Sequence, residues 1–326
     1  MVVARRRQTR NGGKLDQAAG LAAAIELQAH GFSDLTLLEA APGIGGTWFH
    51  NTYPGAACDV PSHLYSFSFA QRRDWERLCP TQADILAYLS GVARDYGVDR
   101  LVSPDTRVTA CRFSDADCRW TVETEDGRSL EAEVVVLATG QLHQPAHPRI
   151  AGVETFAGHS FHSAQWDWDY PLAGKRVAVV GTGASAVQFV PEIAEEVAAL
   201  TVFQRTGNWF LPRKNRRYPV AFRWAVEHVP GLQAFRRGFM FQYCEAITLA
   251  IRHPRTVGRL VHLRSKLFMR AQLRDPELRR KVWPDYTFGC KRVLFSSSFL
   301  PALQRANVEL VTDAVAGMTH EGVVTA

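Results

Sequence analysis

The sequence predicts an α/β fold: two β-turn-α units in series, with a mainly helical insertion in the second. Three observations predict it. Arg176-Val-Ala-Val-Val180 is a short apolar run that opens directly into Gly181-Thr-Gly183-Ala-Ser-Ala186. Residues 17–30, rich in Ala and Leu, are followed by the apolar run Leu35-Thr-Leu-Leu38 and then Glu39. Residues 220–283 read as mainly helical, broken by Pro230, Pro254 and Pro276.

Taken in order, Leu21, Ala24, Ile25 and Leu27 give residues 17–30 the face of a helix packed closely on a sheet, ended by Gly31. Leu35–Leu38 is the length and composition of a buried strand. Gly43 to Ser66 is dense in Gly, Pro, Asn and Asp, and a loop of this length in a compact domain is usually functional. Residues 82–96 read as a helix. Arg107–Phe113, Trp120–Glu125 and Val134–Ala138 read as an antiparallel meander, with Asp126-Gly127 as its hairpin turn. Gln141 to Gly152, with Pro145 and Pro148, reads as the link between a first domain, 1–145, and a second, 146–326. In the second, the run 176–180 leads through a helix at about 184–196 to the strand Leu200–Phe203. The helical insertion occupies about 213–285. Val308–Val311 is a further strand, and Gly322–Thr325 is expected to begin a strand without a partner.

The 326 residues suffice for two domains with a sizeable core. The chain is 46% hydrophobic and 21% charged, as soluble globular domains are. No run approaches the roughly 18 apolar residues of a membrane span. Asp16 and Glu26 interrupt the Ala-rich part, which argues against a signal peptide. The net charge of +6 is modest. Arg213, Lys214, Arg216 and Arg217 form one basic cluster and the N-terminus another. Both are expected to be solvated faces rather than nucleic-acid contacts. The six cysteines form no Cys-x-x-Cys pair and no Cys/His set has metal spacing. They are expected to be reduced thiols in a cytoplasmic protein without a metal. Cys58 shows no activating neighbour and is expected to be structural.

A glycine turn between an apolar strand and a helix lays a pyrophosphate on the helix N-terminus. Gly181 would make the tight turn, Gly183 would let the backbone approach the phosphates, and Ala186 would permit close helix–strand packing. The next strand ends in Gln204-Arg205-Thr206, where an NAD site would place an acid. A guanidinium and a hydroxyl favour a 2′-phosphate, hence NADP. The front of the chain is different. Glu39 stands 19 residues after Gly20, the spacing between the last glycine of a fingerprint and the acid that holds an adenosine ribose. The two earlier glycine positions hold Leu15 and Gln17, and Arg5 to Lys14 is too polar for a central parallel strand. The start is therefore expected to have been replaced, as by a reading-frame or start-site error.

Phe156, Gly158, His162, Trp166 and Asp167 stand at the spacing Phe-x-Gly-x-x-x-His-x-x-x-Trp-Asp. Gly45-Gly46-Thr47-Trp48, Tyr53-Pro54-Gly55 and Asp59 form a second spaced pattern. With the glycine turns, these resemble the type I Baeyer–Villiger monooxygenases within the flavin-dependent monooxygenases. The resemblance runs from about Gly20 to Ala326. Family members are longer, so it implies an incomplete FAD domain, with a stop after Val323-Val324 that falls inside a hairpin. It implies two Rossmann-like domains, for FAD and NADP. It also implies a ketone or heteroatom substrate, O2, no nucleic-acid partner and no membrane span; oligomeric state stays open. By the resemblance, Glu39 would hold the FAD ribose. Gly45, Gly46, Thr47 and Trp48 would line the flavin, Asp59 and Tyr65 would lie near its ring, and Gly140 would contact it from the connecting strand. Gly181, Gly183, Arg205, Thr206 and Lys291 would bind NADP(H). Arg292 would be the catalytic arginine, with Asp59 holding it. His162 and Trp166 would couple domain motion to catalysis. Beyond Arg292 the family pattern has Asp-Tyr where this chain has Ser298-Phe299.

The implied reaction reduces FAD with NADPH, activates O2 on the flavin and inserts one oxygen beside a ketone carbonyl, giving an ester or lactone. A fixed cation suits the anions of that chemistry, and arginine keeps its charge when partly buried. One rival reading is oxygenation of sulfur or nitrogen. Another is a remnant that only binds NADP(H). His162 is expected to be a hydrogen-bonded histidine with no proton-transfer role, and Phe161, Trp166 and Trp168 to be core packing.

Overall fold

The computed structural model describes residues 1–5, 19–140, 142, 144–213 and 215–326. Leu15, Gln17, the basic run 6–14, Gln141, His143 and Lys214 lie outside the described residues. The chain divides into two compact units. The first comprises Met1–Thr52, Phe67–Ala70 and Gln82–Pro145; the second comprises Tyr53–Ser66, Gln71–Thr81 and Ala146–Ala326.

In the first unit, β1 (Val2–Arg5) precedes α1 (Ala19–Ala29) and β2 (Asp34–Leu38). A single turn, α2 (Thr47–His50), follows, then α3 (Gln82–Asp95) and the short β3 (Val102–Ser103). The strands β4 (Val108–Ser114), β5 (Arg119–Thr124), β6 (Ser129–Ala132) and β7 (Val134–Val136) complete it. α1 buries Leu21 through Ile25, with Leu27 of the predicted face only half-buried, and Gly31 at φ +85° ends it. The main sheet has the order β3-β2-β1-β7. β2 and β3 are parallel, whereas β1 runs antiparallel to both of its neighbours. Val2 lies opposite Leu37 and Val136.

Arg5 closes β1, an antiparallel strand, and the rest of the basic run lies outside the described residues. One expectation is corrected here. The meander is β4-β5-β6, so its third strand is Ser129–Ala132, not Val134–Ala138. Gly127 at φ +84° makes the turn into β6, and a bend at Glu133 sends β7 into the main sheet instead.

The second unit holds β8 (Arg176–Val180), α4 (Ala184–Ile193) and β9 (Ala199–Phe203). Then come β10 (Phe210–Leu211), the helices α5 (Val220–His228), α6 (Leu232–Arg252), α7 (Val257–Gln272) and α8 (Pro276–Val282), and β11 (Leu294–Phe295). A last turn, α9 (Phe299–Ala302), leads to β12 (Val308–Val311), β13 (Val315–Met318) and β14 (Val323–Thr325). The parallel sheet β12-β9-β8 is fully in register, Val180 against Phe203 and Val311 against Phe203. Its core gathers Val190 and Ile193 of α4 with Leu200, Val202, Phe210 and Phe299. α7 stops at Gln272 and Pro276 starts α8, so the helical region breaks there as predicted, the first turn needing no donor. The insertion is helical as predicted. α6 nevertheless buries only Gln233 and Ala250, and Phe235, Phe239 and Leu260 of α6 and α7 stand exposed. β14 has a partner, contrary to expectation: it pairs antiparallel with β13, and Thr319 N–H donates to the Gly322 carbonyl (2.8 Å) across the turn.

Candidate functional site

The second unit contains the turn between β8 and α4. Gly181 sits at φ +109°, where an L side chain is strained, and its N–H donates to the Phe203 carbonyl. Gly183 is the N-cap of α4 without any side-chain cap. A Cβ on Gly181 or Gly183 would meet nothing within 4 Å, so both glycines face open space at a helix N-terminus. Ala186 is buried beneath. Asn208 Nδ2 donates to the Thr182 carbonyl (2.8 Å) and braces the turn from β10's side. These residues fit a dinucleotide pyrophosphate. Arg205 is exposed and Thr206 half-buried after β9. Lys291 Nζ lies 4.6 Å from the Tyr286 ring centroid.

The Gly/Pro loop 53–66 is pinned to α4. Gln188 Nε2 donates to the Ala57 carbonyl (2.9 Å), while its Oε1 accepts from Ala57 N–H and from Tyr53 Oη (both 3.2 Å). Gly55 at φ +74° passes so near that a Cβ would stand 3.0 Å from the Gln188 carbonyl oxygen. This brings Asp59 into place. Arg292 Nη2 donates to Asp59 Oδ2 at 3.3 Å, and Arg213 Nε lies 3.9 Å from Asp59 Oδ1. The side chains of Asp59 and Arg213 are 15% and 13% exposed, that of Arg292 70%. Arg213 is thus no solvated surface charge, which corrects the reading for that residue, while Arg216 and Arg217 are exposed as expected. Burial pushes the Asp59 carboxyl above its usual range, and Arg213, Arg292 and Gln188 pull it back only in part. Burial also pushes the Cys58 thiol up to about 12, so it is inert, as expected of a structural cysteine. Tyr65 is half-buried in the same loop, its N–H donating to the Pro61 carbonyl. Arg237 Nη1 of α6 ties that segment down through the carbonyls of His63, Leu64 and Ser66 (3.0–3.1 Å).

The segment Phe156–Asp167 packs on the same helix. Trp166 meets Phe189 of α4 at 5.1 Å and Phe161 at 5.2 Å. A Cβ on Gly158 would stand 2.3 Å from the Phe156 ring, which explains glycine at that spacing. His162 Nδ1 accepts from Ala164 N–H (3.1 Å), and burial lowers its pKa, helped by His147. Asp167 is held by His159 (2.8 Å) and accepts from Asp169 N–H (3.0 Å). Trp168 is exposed rather than core. At the Ser298-Phe299 departure, Phe299 stacks on Phe210 at 5.6 Å, and the N–H groups of Ser298 and Phe299 both donate to Ser296 Oγ (3.3 and 3.1 Å).

In the first unit, Gly20, Glu39, Gly45 and Gly46 line one cavity of about 100 Å³, together with Met1 and Ala138. Glu39 Oε1 accepts from Ala41 N–H (2.9 Å), and the Met1 ammonium donates to the Leu38 carbonyl (2.8 Å). Gly45 and Gly46 take φ +137° and +53° to enter α2, where Thr47 accepts from Asn51 Nδ2 (2.8 Å) and Trp48's carbonyl from Gln82. Gly140 at φ +68° is exposed beyond β7. The Glu39 carboxylate, an acceptor, suits the hydroxyls of an adenosine ribose. The space is well below the roughly 300 Å³ at which small-molecule sites begin.

Sequence reasoning missed Gln188, Arg213, Arg237 and His159. Nothing in one sequence announces a loop-to-helix contact 131 residues apart, and Arg213 read as part of a solvated basic face.

The family model described as pyridine nucleotide-disulphide oxidoreductase matches residues 17–224. A Baeyer–Villiger monooxygenase of Streptomyces coelicolor is 45% identical over 308 residues, 94% of this chain and 59% of the relative. Another, of Pseudomonas aeruginosa, is 42% identical over 94% of this chain and 58% of its own length. The chain thus spans under three-fifths of these relatives. Among solved structures, an oxidized steroid monooxygenase bound to NADP superposes with a TM-score of 0.81 at 30% identity, covering 95% of this chain and 66% of that one. A cyclohexanone monooxygenase from Rhodococcus sp. Phi1 bound to NADP+ gives 0.80 at 28% identity, with the same coverage.

Proposed function

We propose, for a chain that belongs to the pyridine nucleotide-disulphide oxidoreductase family, a part in FAD- and NADPH-dependent oxygen insertion beside a ketone carbonyl, yielding an ester or lactone. The observation that carries the reading is the Arg292–Asp59 pair, set on a loop that Gln188 pins to the helix under the glycine turn. When bound, the flavin supplies oxygen activation and NADPH the electrons. Gly181 and Gly183 would seat the NADP pyrophosphate at the N-terminus of α4, with Arg205, Thr206 and Lys291 toward its 2′-phosphate. Gly20 and Glu39 would hold the FAD ribose, and Gly45, Gly46, Thr47, Trp48, Tyr65 and Gly140 would contact the flavin. Arg292, exposed at its outer end, would offer a permanent cation to an oxyanion, and Asp59 would aim it. Phe156, Gly158, His162, Trp166 and Asp167 would hold the inter-domain segment against α4 through Phe189. Six free cysteines suit a reducing cytoplasm. Among the described residues no helix is long and apolar enough to cross a membrane.

A second reading has its own support. The cavity around Glu39 is about 100 Å³ and Met1 lines it, which favours a chain that binds NADP(H) without retaining FAD. Flavin content of the purified protein, NADP+ protection against heat, and NADPH oxidation stimulated by a cyclic or aryl ketone test both. Bound flavin with ketone-stimulated oxidation supports the first reading. A colourless protein still protected by NADP+ supports the second.

A further inference from the structure

We propose that Arg213 is a positioning residue that fixes the Asp59 carboxylate as the counter-ion of Arg292. The inference rests on the functional reading above for the role of the Arg292–Asp59 pair.

The two arginines approach opposite oxygens of one carboxylate, Arg213 at Oδ1 and Arg292 at Oδ2. They differ in everything else. Arg292 is largely in solvent, and screening and rotamer freedom make such a contact weak and easily left. Arg213 is buried and held at three points. Its N–H donates to Ser297 Oγ (3.1 Å), the same hydroxyl donates to the Arg213 carbonyl (3.0 Å), and its Nη2 donates to the Cys58 carbonyl (2.9 Å). The parallel pair β10–β11 sets this bracket, because Arg213 and Ser297 each stand two residues beyond the strands. Nε of Arg213 and Oδ1 of Asp59 are both buried and have no hydrogen-bond partner, and they face each other across 3.9 Å. A buried carboxylate needs a fixed opposite charge, and removing that charge shifts it toward the acid form. Only Arg213 is fixed. Tyr53, Cys58 and Cys79 are the other titratable groups that couple to Asp59, and burial raises the pKa of each, keeping them uncharged at neutral pH. The division of labour follows. Arg213 keeps Asp59 charged and oriented, so Arg292 can turn toward a reacting anion and return to an ionised partner.

The test reads Asp59 itself. The full chain, labelled with carboxyl-¹³C aspartate, is titrated by NMR, with the Asp59 resonance assigned through Asp59→Asn. Arg213→Gln is expected to raise the Asp59 midpoint by about 1–3 pH units. Arg292→Gln is expected to raise it less, and Arg213→Lys to return it most of the way. An unmoved midpoint in Arg213→Gln, or a larger rise in Arg292→Gln, overturns the inference. Should Arg213→Gln fail to fold, Arg213→Lys and Ser297→Ala decide: a wild-type midpoint in both overturns it, and a rise in Ser297→Ala supports it. NADP+ protection is measured on the same samples. Its loss in the wild type overturns the functional reading while leaving the carboxylate result standing.

Discussion

The main sheets of the two units differ in the direction of one strand. In the second unit β8 is parallel to β9 and runs into Gly181, so the open turn lies where the strand ends and α4 begins. In the first unit β1 is a central strand, whereas β8 lies at the edge of its sheet, and β1 runs against both β2 and β7. Its beginning, not its end, therefore lies beside Leu38 and Glu39, and Met1 lines the cavity. A dinucleotide cradle is made by strand polarity as much as by glycines.

The largest effect is expected at the Gly181 turn. Gly181→Val is expected to abolish NADP+ protection in a thermal-shift assay, since it forces a β-branched residue to φ +109° and fills the open space. Retained protection would break the comparison at its strong end. Next comes a matched pair of wholly buried valines, Val202 in β9 and Val2 in β1. Val202→Ala and Val2→Ala should each cost about 2 kcal/mol in urea denaturation. A negligible cost for Val2→Ala would show that β1 is not seated in its sheet.

The third effect is pH-dependent and belongs to the second unit. Burial, and then the nearby Arg236 charge, lower the His63 pKa from 6.5 to about 4. The unfolded state takes up this proton first, so His63 makes the fold less stable as pH falls from about 6.5 toward 4. His63→Phe should flatten that part of the stability profile measured by denaturation. An unchanged slope would exclude His63 as its source. The smallest effects are the controls. The exposed pairs Arg305–Glu195 and Arg112–Glu123 lie one in each unit. Breaking either should change stability by less than about 1 kcal/mol.

The second unit was the more legible of the two. Arg176–Val180, the helix after Gly183, Leu200–Phe203 and Val308–Val311 are local, largely apolar patterns, and they fold where the sequence puts them. Val315–Met318 was invisible because Val-Ala-Gly-Met is short and weakly β-forming, and it is a strand only through its partner β14. The run Val2–Arg5 was hidden by the charges that follow it. At the site, Asp59 and Arg292 were marked by spacing within the family pattern. Gln188 and Arg213 were not, because their roles come from tertiary contacts that no local pattern encodes.

Titration of the chain as it stands with NADP+ and with FAD, followed by unfolding temperature, tests the difference in strand direction most directly. The account predicts a saturable rise with NADP+ and a smaller one with FAD. A larger rise with FAD than with NADP+ would contradict it.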